Sequence, residues 1–228
     1  MDKPINDFSD EKIIESWNKN AGPWIDAIQR NEIESRVVAT NQAIVEIILS
    51  KRPNKVLDIG CGEGWLCREL VENNIDCLGV DVVPELINRA KRGKGRFTQI
   101  AYEELSNTKL GEEFDILVAN FSLIGRESVE NIFQHANNLL TEGGFLIVQT
   151  VHPRMVDTNL DYSDGWREGT WTGFGNEFHD PAPWYFRTLE SWLVLFNSSG
   201  FDPVDMVEPL NPKTKNIASL ILVGKLSR

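Results

Sequence analysis

Residues Val56-Leu57-Asp58-Ile59-Gly60-Cys61-Gly62-Glu63-Gly64 decide the fold. Lys55 to Ile59 reads as a short apolar strand that runs without a spacer into three glycines and a helical pattern ending near Glu72. Glycines at 60, 62 and 64 permit a tight turn and let a ligand lie against bare main chain. A second strand follows from Asp76 to Val80 and ends in Asp81, 21 residues beyond Gly60. In an open α/β sheet that position suits a carboxylate accepting hydrogen bonds from both hydroxyls of a ribose.

The alternation continues outward from this unit. A helix is predicted over 84–92, with Pro84 in the first turn where it is tolerated. Strands are predicted at 96–100 and 114–119, then a helix over 127–140 stopped by Gly143-Gly144. Phe145 to Val151 has the near-continuous apolarity of a buried parallel strand. A helix over 189–198 and strands near 201–208 and 217–225 close the chain. Strands alternating with helices predict a doubly wound, Rossmann-like α/β sheet. Upstream, residues 10–30 keep an imperfect helical rhythm broken at Gly22-Pro23, and 32–50 read as an amphipathic helix. Residues 1–50 are therefore expected to form an N-terminal helical cap.

Residues 152–187 break the rhythm and concentrate aromatic side chains: Tyr162, Trp166, Trp171, Phe174, Phe178, Trp184, Tyr185 and Phe186. A segment of this length inside a compact domain is often functional, so a lid over the site is expected. A hairpin plug that completes the core is the alternative.

With 228 residues and 41% apolar content, the chain can bury one substantial core, so 1–228 is expected to be a single domain. No run approaches the roughly 18 apolar residues needed to span a bilayer. Met1 to Asp7 lacks the basic and apolar regions of a signal peptide. Cys61, Cys67 and Cys77 make no paired framework and lack zinc-ligand spacing, which predicts a reduced, cytoplasmic setting and no metal. A net charge of −11 opposes nucleic-acid binding. The basic cluster Arg89, Lys91, Arg92, Lys94 and Arg96 reads as a solvated helix end. A small-molecule partner is favoured; no nucleic acid, membrane or obligate protein partner is indicated.

A dinucleotide fingerprint needs a third small residue at 65, where helix and strand pack closely, but Trp65 stands there. Glu63 also places a negative charge where a pyrophosphate would seek the helix N-terminus. A cofactor with a ribose and no phosphate fits better, and S-adenosylmethionine is one, with cationic groups that nearby carboxylates favour.

Leu57 to Gly64 resembles the first motif of class I S-adenosylmethionine-dependent methyltransferases, and Gly79-Val80-Asp81 their acidic second motif. Phe114 to Leu123 is similar to their fourth-strand motif, and Leu139-Leu140-Thr141-Glu142-Gly143-Gly144 to the turn before the fifth strand. These motifs cover about 55–151 in the family's order. Trp17, Trp24, Glu34-Ser35-Arg36, His152-Pro153, Asp164-Gly165-Trp166-Arg167, Arg187-Thr188-Leu189-Glu190 and Glu208-Pro209 resemble a subgroup of small methyltransferases without a defined substrate. The resemblance implies a seven-stranded sheet whose last strand is antiparallel, and S-adenosylhomocysteine as product.

It also implies roles. Gly60 and Gly62 contact the cofactor by backbone, Asp81 with Val82 holds the ribose, and Asp58 faces the methionine end. The carboxylate that many relatives place after strand three is missing, which leaves the backbone of Ala101 and Tyr102 for adenine. Asn120 borders the transferred methyl. Arg36 could pair with the methionine carboxylate by a two-point hydrogen bond, against a surface ion pair with Glu32 or Glu34. Trp17 covers the cofactor or joins the core. His152, at the carboxyl edge after strand five, could serve as general base or be a structural histidine. Trp166, Arg187, Arg167 and His179 could orient an anionic or aromatic acceptor, against purely structural roles. Methyl transfer needs mainly alignment, so an evident catalytic dyad is not required. Two rival readings stay open: a nicotinamide-dependent oxidoreductase and a non-catalytic S-adenosylmethionine-binding module.

Overall fold

The computed structural model describes residues 8–155 and 161–227. The leader reading at Met1 to Asp7 and positions 156–160 of the expected lid lie outside the described residues.

Seven strands form one sheet: β1 (Lys55–Ile59), β2 (Asp76–Asp81), β3 (Arg96–Gln99), β4 (Phe114–Asn120), β5 (Leu140–Thr150), β8 (Phe201–Val207) and β9 (Leu220–Leu226). Their spatial order is β3-β2-β1-β4-β5-β9-β8. The first five run parallel, and β9 is antiparallel to both β5 and β8. This is the expected methyltransferase-type sheet with its last strand reversed. Helices cover both faces, so the central strands read as apolar runs. On one face Ile44 and Ile48 of α2 (Asn41–Ser50) and Leu66 and Leu70 of α3 (Trp65–Glu72) pack on Val56, Ile116 and Val118. On the other, Phe133 of α6 (Glu127–Leu139) and Trp192 and Phe196 of α7 (Leu189–Ser198) pack on Leu117, Leu146 and Leu222. The short helices α4 (Pro84–Ala90) and α5 (Asn107–Leu110) complete the crossovers.

Three local features differ from the sequence expectation, and a fourth is a hairpin of the kind named there as the alternative. Helix α1 (Asp10–Gln29) runs unbroken through Gly22-Pro23. Pro23 removes the hydrogen bond its nitrogen would give to Lys19, but Ala21 is fully buried and the flanking Trp17 and Trp24 pack together, so tertiary contacts hold the helix across the gap. The helix expected over 32–50 opens instead with a π-helical turn, Arg36–Thr40, before α2. Gly143-Gly144 does not stop a helix; it lies within β5, whose first residue Leu140 already pairs with Phe114 across a register irregularity. Finally, the insertion holds a two-stranded hairpin, β6 (Gly165–Arg167) with β7 (Trp184–Phe186).

Candidate active site

Register brings the carboxyl ends of β1, β2 and β4 to one edge, because Ile59 lies beside Val80 and Asp58 beside both Gly79 and Val118. Gly60 and Cys61 donate their N–H groups to Val80 O at 2.8 and 2.9 Å, pinning the glycine loop to β2. Gly60, Gly62 and Gly64 all take left-handed φ values, 73°, 57° and 86°, which an L side chain rarely adopts. They do different work beyond that. A Cβ on Gly64 would press on Phe97 and Ala90, so this glycine supplies the close helix–strand packing that a dinucleotide fingerprint assigns one residue later. A Cβ on Gly60 would collide with the Tyr102 hydroxyl and Ser122. A Cβ on Gly62 would meet nothing nearer than Trp24 Nε1, 3.7 Å away, so of the three this glycine is the one with room beside it for a ligand.

Asp81 is nearly buried, and each carboxylate oxygen accepts one backbone donor: Oδ1 from Val83 at 2.9 Å and Oδ2 from Gly62 at 2.9 Å. Burial raises its pKa, while the donors at Val83, Gly62 and Val82 pull it back. An ionised carboxylate has about four acceptor positions, so both oxygens keep capacity for hydroxyl donors. Val82 O accepts from Gln99 Nε2 at 3.2 Å. Ala101 leads a 3₁₀ turn, Tyr102–Glu104, two residues past Gln99, the register partner of Asp81, and so belongs to the same edge. The Tyr102 hydroxyl donates to Ser122 O at 3.3 Å, and burial pushes its pKa up.

The charged end of the site lies around Asp58. Its carboxyl is buried, with Cys67 Sγ 3.7 Å from Oδ2, and burial raises its pKa to about 7. Arg36, swung inward by the π-helical turn, lies between two indoles, 5.6 Å from the Trp24 centroid and 5.0 Å from that of Trp65. Its Nε donates to Asn41 Oδ1 at 3.3 Å. Burial lowers its pKa to about 10, opposed by the charges of Glu63 and Asp58. Glu63 is buried in turn; Oε2 pairs with Arg68. Three buried atoms of these residues have no hydrogen-bond partner among the described residues: Arg36 Nη2, Glu63 Oε1 and Asn120 Oδ1. Leaving such atoms unmade costs about 1–3 kcal/mol each, more for charged groups. An orphaned guanidinium donor beside orphaned acceptors complements a zwitterionic α-amino acid.

The insertion ties itself to both banks of this edge. On one bank Asn20 of α1 donates to His179 O and accepts from His179 N, at 2.7 and 2.9 Å, and Ser16 donates to Asp180 O. Trp17 packs edge-on against Trp24 and Trp171, at 5.1 and 5.8 Å between centroids. On the other bank Tyr185 N donates to Ile124 O at 2.7 Å, just beyond Asn120. Arg187 is buried there, giving Nη1 to Gly125 O and Nη2 to Arg126 O at 2.7 and 3.0 Å. Asp10 joins the banks, accepting from the N–H groups of Arg126 and Ser128 at the start of α6.

Several residues singled out by sequence have their polar groups engaged within the protein. His152 Nδ1 accepts from Arg154 N at 3.1 Å, so Nε2 carries the proton it shares with Glu208 at 2.9 Å. Neither ring nitrogen is left to take a proton from a substrate. Arg167 donates to the carbonyls of Asp161, Ser163 and Trp166. His179 contributes its main chain to the α1 contact while its side chain is exposed. Trp166 stacks edge-on with Tyr185 at 5.6 Å. Sequence reasoning assigned no role to Trp24 or Trp65, which clamp Arg36. Trp24 lies seven residues after Trp17, two helical turns along one face, and that signal was masked by Gly22-Pro23.

A methyltransferase-domain family model matches residues 30–206. A ubiquinone biosynthesis O-methyltransferase from Psychrobacter cryohalolentis is 27% identical over 177 residues, covering 66% of this chain and 68% of its own. A malonyl-[acyl-carrier protein] O-methyltransferase from Legionella pneumophila is 23% identical over 221 residues, covering 94% and 72%. Among solved structures, magnesium protoporphyrin IX methyltransferase from Synechocystis PCC 6803, crystallised with S-adenosylhomocysteine, superposes with a TM-score of 0.64 at 16% identity, over 96% of this chain and 100% of its own. At that identity the structural likeness is one of fold.

Proposed function

The chain belongs to the class I S-adenosylmethionine-dependent methyltransferases, and from that premise we propose that it methylates a small-molecule acceptor at the edge formed by β1, β2 and β4. The observation that carries the reading is the set of orphaned buried atoms at Arg36, Glu63 and Asn120 beside the open main chain of Gly62. S-adenosylmethionine supplies an electrophilic methyl group on a cationic sulfur. Arg36 Nη2 holds the amino-acid carboxylate, and Asn120 Oδ1 with the Asp58 carboxyl receives the ammonium. Asp81 receives the ribose hydroxyls, with Val82 beside it. The main chain of Gly62 leaves room for the nucleoside, Gly60 gives its space to the Tyr102 hydroxyl and Ser122, and the backbone of Ala101 and Tyr102 borders the adenine.

The protein's contribution to rate is alignment and exclusion of water. We assign no general base, and give His152 the bracing of the loop after β5 against Glu208. One curated relative is named as a ubiquinone biosynthesis O-methyltransferase, which supports a small acceptor here. The net charge of −11 favours the same side over nucleic acid. Among the described residues no helix is long and apolar enough to cross a membrane, and no His, Cys, Asp and Glu cluster could hold a metal. The insertion, tied to α1 and to the loop after β4, is the lid, and closes further once both substrates are present.

The test is turnover with methyl-labelled S-adenosylmethionine in a cell extract, followed by size fractionation. Label in the low-mass fraction is expected. Label in protein or nucleic acid defeats the small-acceptor reading, and cofactor binding without any transfer favours a binding module. Protease sensitivity of 161–187 should fall when cofactor and acceptor are added together; equal sensitivity removes the lid.

A further inference from the structure

The rings above the glycine loop form one wall, built jointly by α1 and the insertion. Trp24 begins it at Gly62. Trp17 meets Trp24 and Trp171 edge-on, Phe174 lies 6.3 Å from Trp24 and 5.4 Å from Trp171, and buried Phe178 ends the row 4.8 Å from Trp171. Trp17, Trp24, Trp171 and Phe174 are only half-buried. Part of each of these rings therefore stays uncovered, in a wall that starts at the glycine loop. Edge-to-face arrays accept a further flat ring in the same geometry.

The cations around this wall are engaged with the protein itself. Arg187 and Arg167 give their donors to backbone carbonyls. Lys19 pairs with Asp180 at 2.7 Å, Arg154 with Glu190 at 3.3 Å, and Arg126 approaches Glu130 at 4.0 Å while lying over the Tyr185 ring. Arg36 is committed to the cofactor carboxylate. The remaining charges at the edge, Asp58, Glu63 and Asp81, are acidic. An anion entering here would lose hydration, meet like charge and find the cations named above already paired. A neutral ring loses nothing comparable, and a cationic one gains from the indole faces.

We propose that the methyl acceptor is a planar aromatic or heteroaromatic molecule, neutral or cationic, seated against Trp17 and Trp171, and that its anionic analogues are rejected. The inference rests on the methyltransferase reading above. Three probes with one ring and different charge test it: indole, tryptamine and indole-3-acetate, each titrated calorimetrically into the full-length protein saturated with S-adenosylhomocysteine. Indole and tryptamine should bind, and indole-3-acetate should bind about tenfold more weakly or worse. Trp171→Leu should weaken tryptamine by a similar factor and leave S-adenosylhomocysteine affinity unchanged. Indole-3-acetate binding as tightly as the other two overturns the inference, as does a protein that takes S-adenosylhomocysteine and none of the probes. A protein that takes no S-adenosylhomocysteine at all overturns the methyltransferase reading, and the inference with it.

Discussion

Replacing Arg36 by Met should move folding stability and cofactor affinity in opposite directions. Burial holds the guanidinium below its ordinary range, at a pKa of about 10, which corresponds to about 3 kcal/mol of charge penalty in the cofactor-free protein. For a base with a lowered pKa the penalty is fully present below about pH 10 and fades as pH rises through that value. The two indole contacts offset about 1–2 kcal/mol of it. Met keeps the apolar stem between Trp24 and Trp65 and removes both terms, so the free variant should be more stable by about 1 kcal/mol. For a chain of this length that is a rise in Tm of about 2–4 °C. Binding should suffer, because a charge-assisted pair at the amino-acid carboxylate is lost, about 2–3 kcal/mol or 30- to 150-fold in Kd. Thermal denaturation with and without S-adenosylhomocysteine reads the first effect, and calorimetry the second. Arg36→Lys should fall between, keeping the charge and losing the planar fork. A variant that is less stable when free and binds S-adenosylhomocysteine normally would refute the assignment, since Arg36 would then serve the protein alone.

Asp58→Asn should separate from the parent protein in a pH-dependent way. An acid whose folded pKa is raised from 3.8 to about 7 loses stability as pH climbs between those values and then levels off. The Tm advantage of the variant should therefore grow from about pH 4 to about pH 7 and stay flat above; a constant offset would contradict a titrating Asp58. Gly62→Ala has room for its Cβ, so it should cost only about 1 kcal/mol for its left-handed backbone yet weaken S-adenosylhomocysteine severely. Unchanged affinity would mean that the cofactor does not cross this residue. Arg187→Met leaves two carbonyls without donors and should destabilise by about 2–4 kcal/mol in urea unfolding, with S-adenosylhomocysteine affinity intact. A selective loss of binding would return Arg187 to the site.

The meeting of the glycine loop with Asp81 was readable because its signals are local or regularly spaced. The glycine loop follows β1 directly, and Asp81 closes the next strand, so parallel pairing of buried strands is enough to bring them together. What escaped depends on contacts far apart in sequence. His152 looked like a base until Glu208, 56 residues on, accepted the hydrogen bond from its Nε2. Arg187 looked available until Gly125, 62 residues earlier, engaged it. The break suggested at Gly22-Pro23 was real as a propensity and was overruled by packing on both sides of it, which placed Trp24 over the glycine loop.

The succession of strands and helices, the glycine loop after β1 and the acid closing β2 were written in the sequence alone, since period, glycine spacing and apolarity are properties of short segments. The tertiary structure alone decided which polar groups remain free. A side chain's capacity to bind a ligand is what its protein partners leave over, and those partners are chosen by the fold: they claimed His152, Arg167 and Arg187, and among the described residues left Arg36, Glu63 and Asn120 each with a buried atom unpartnered.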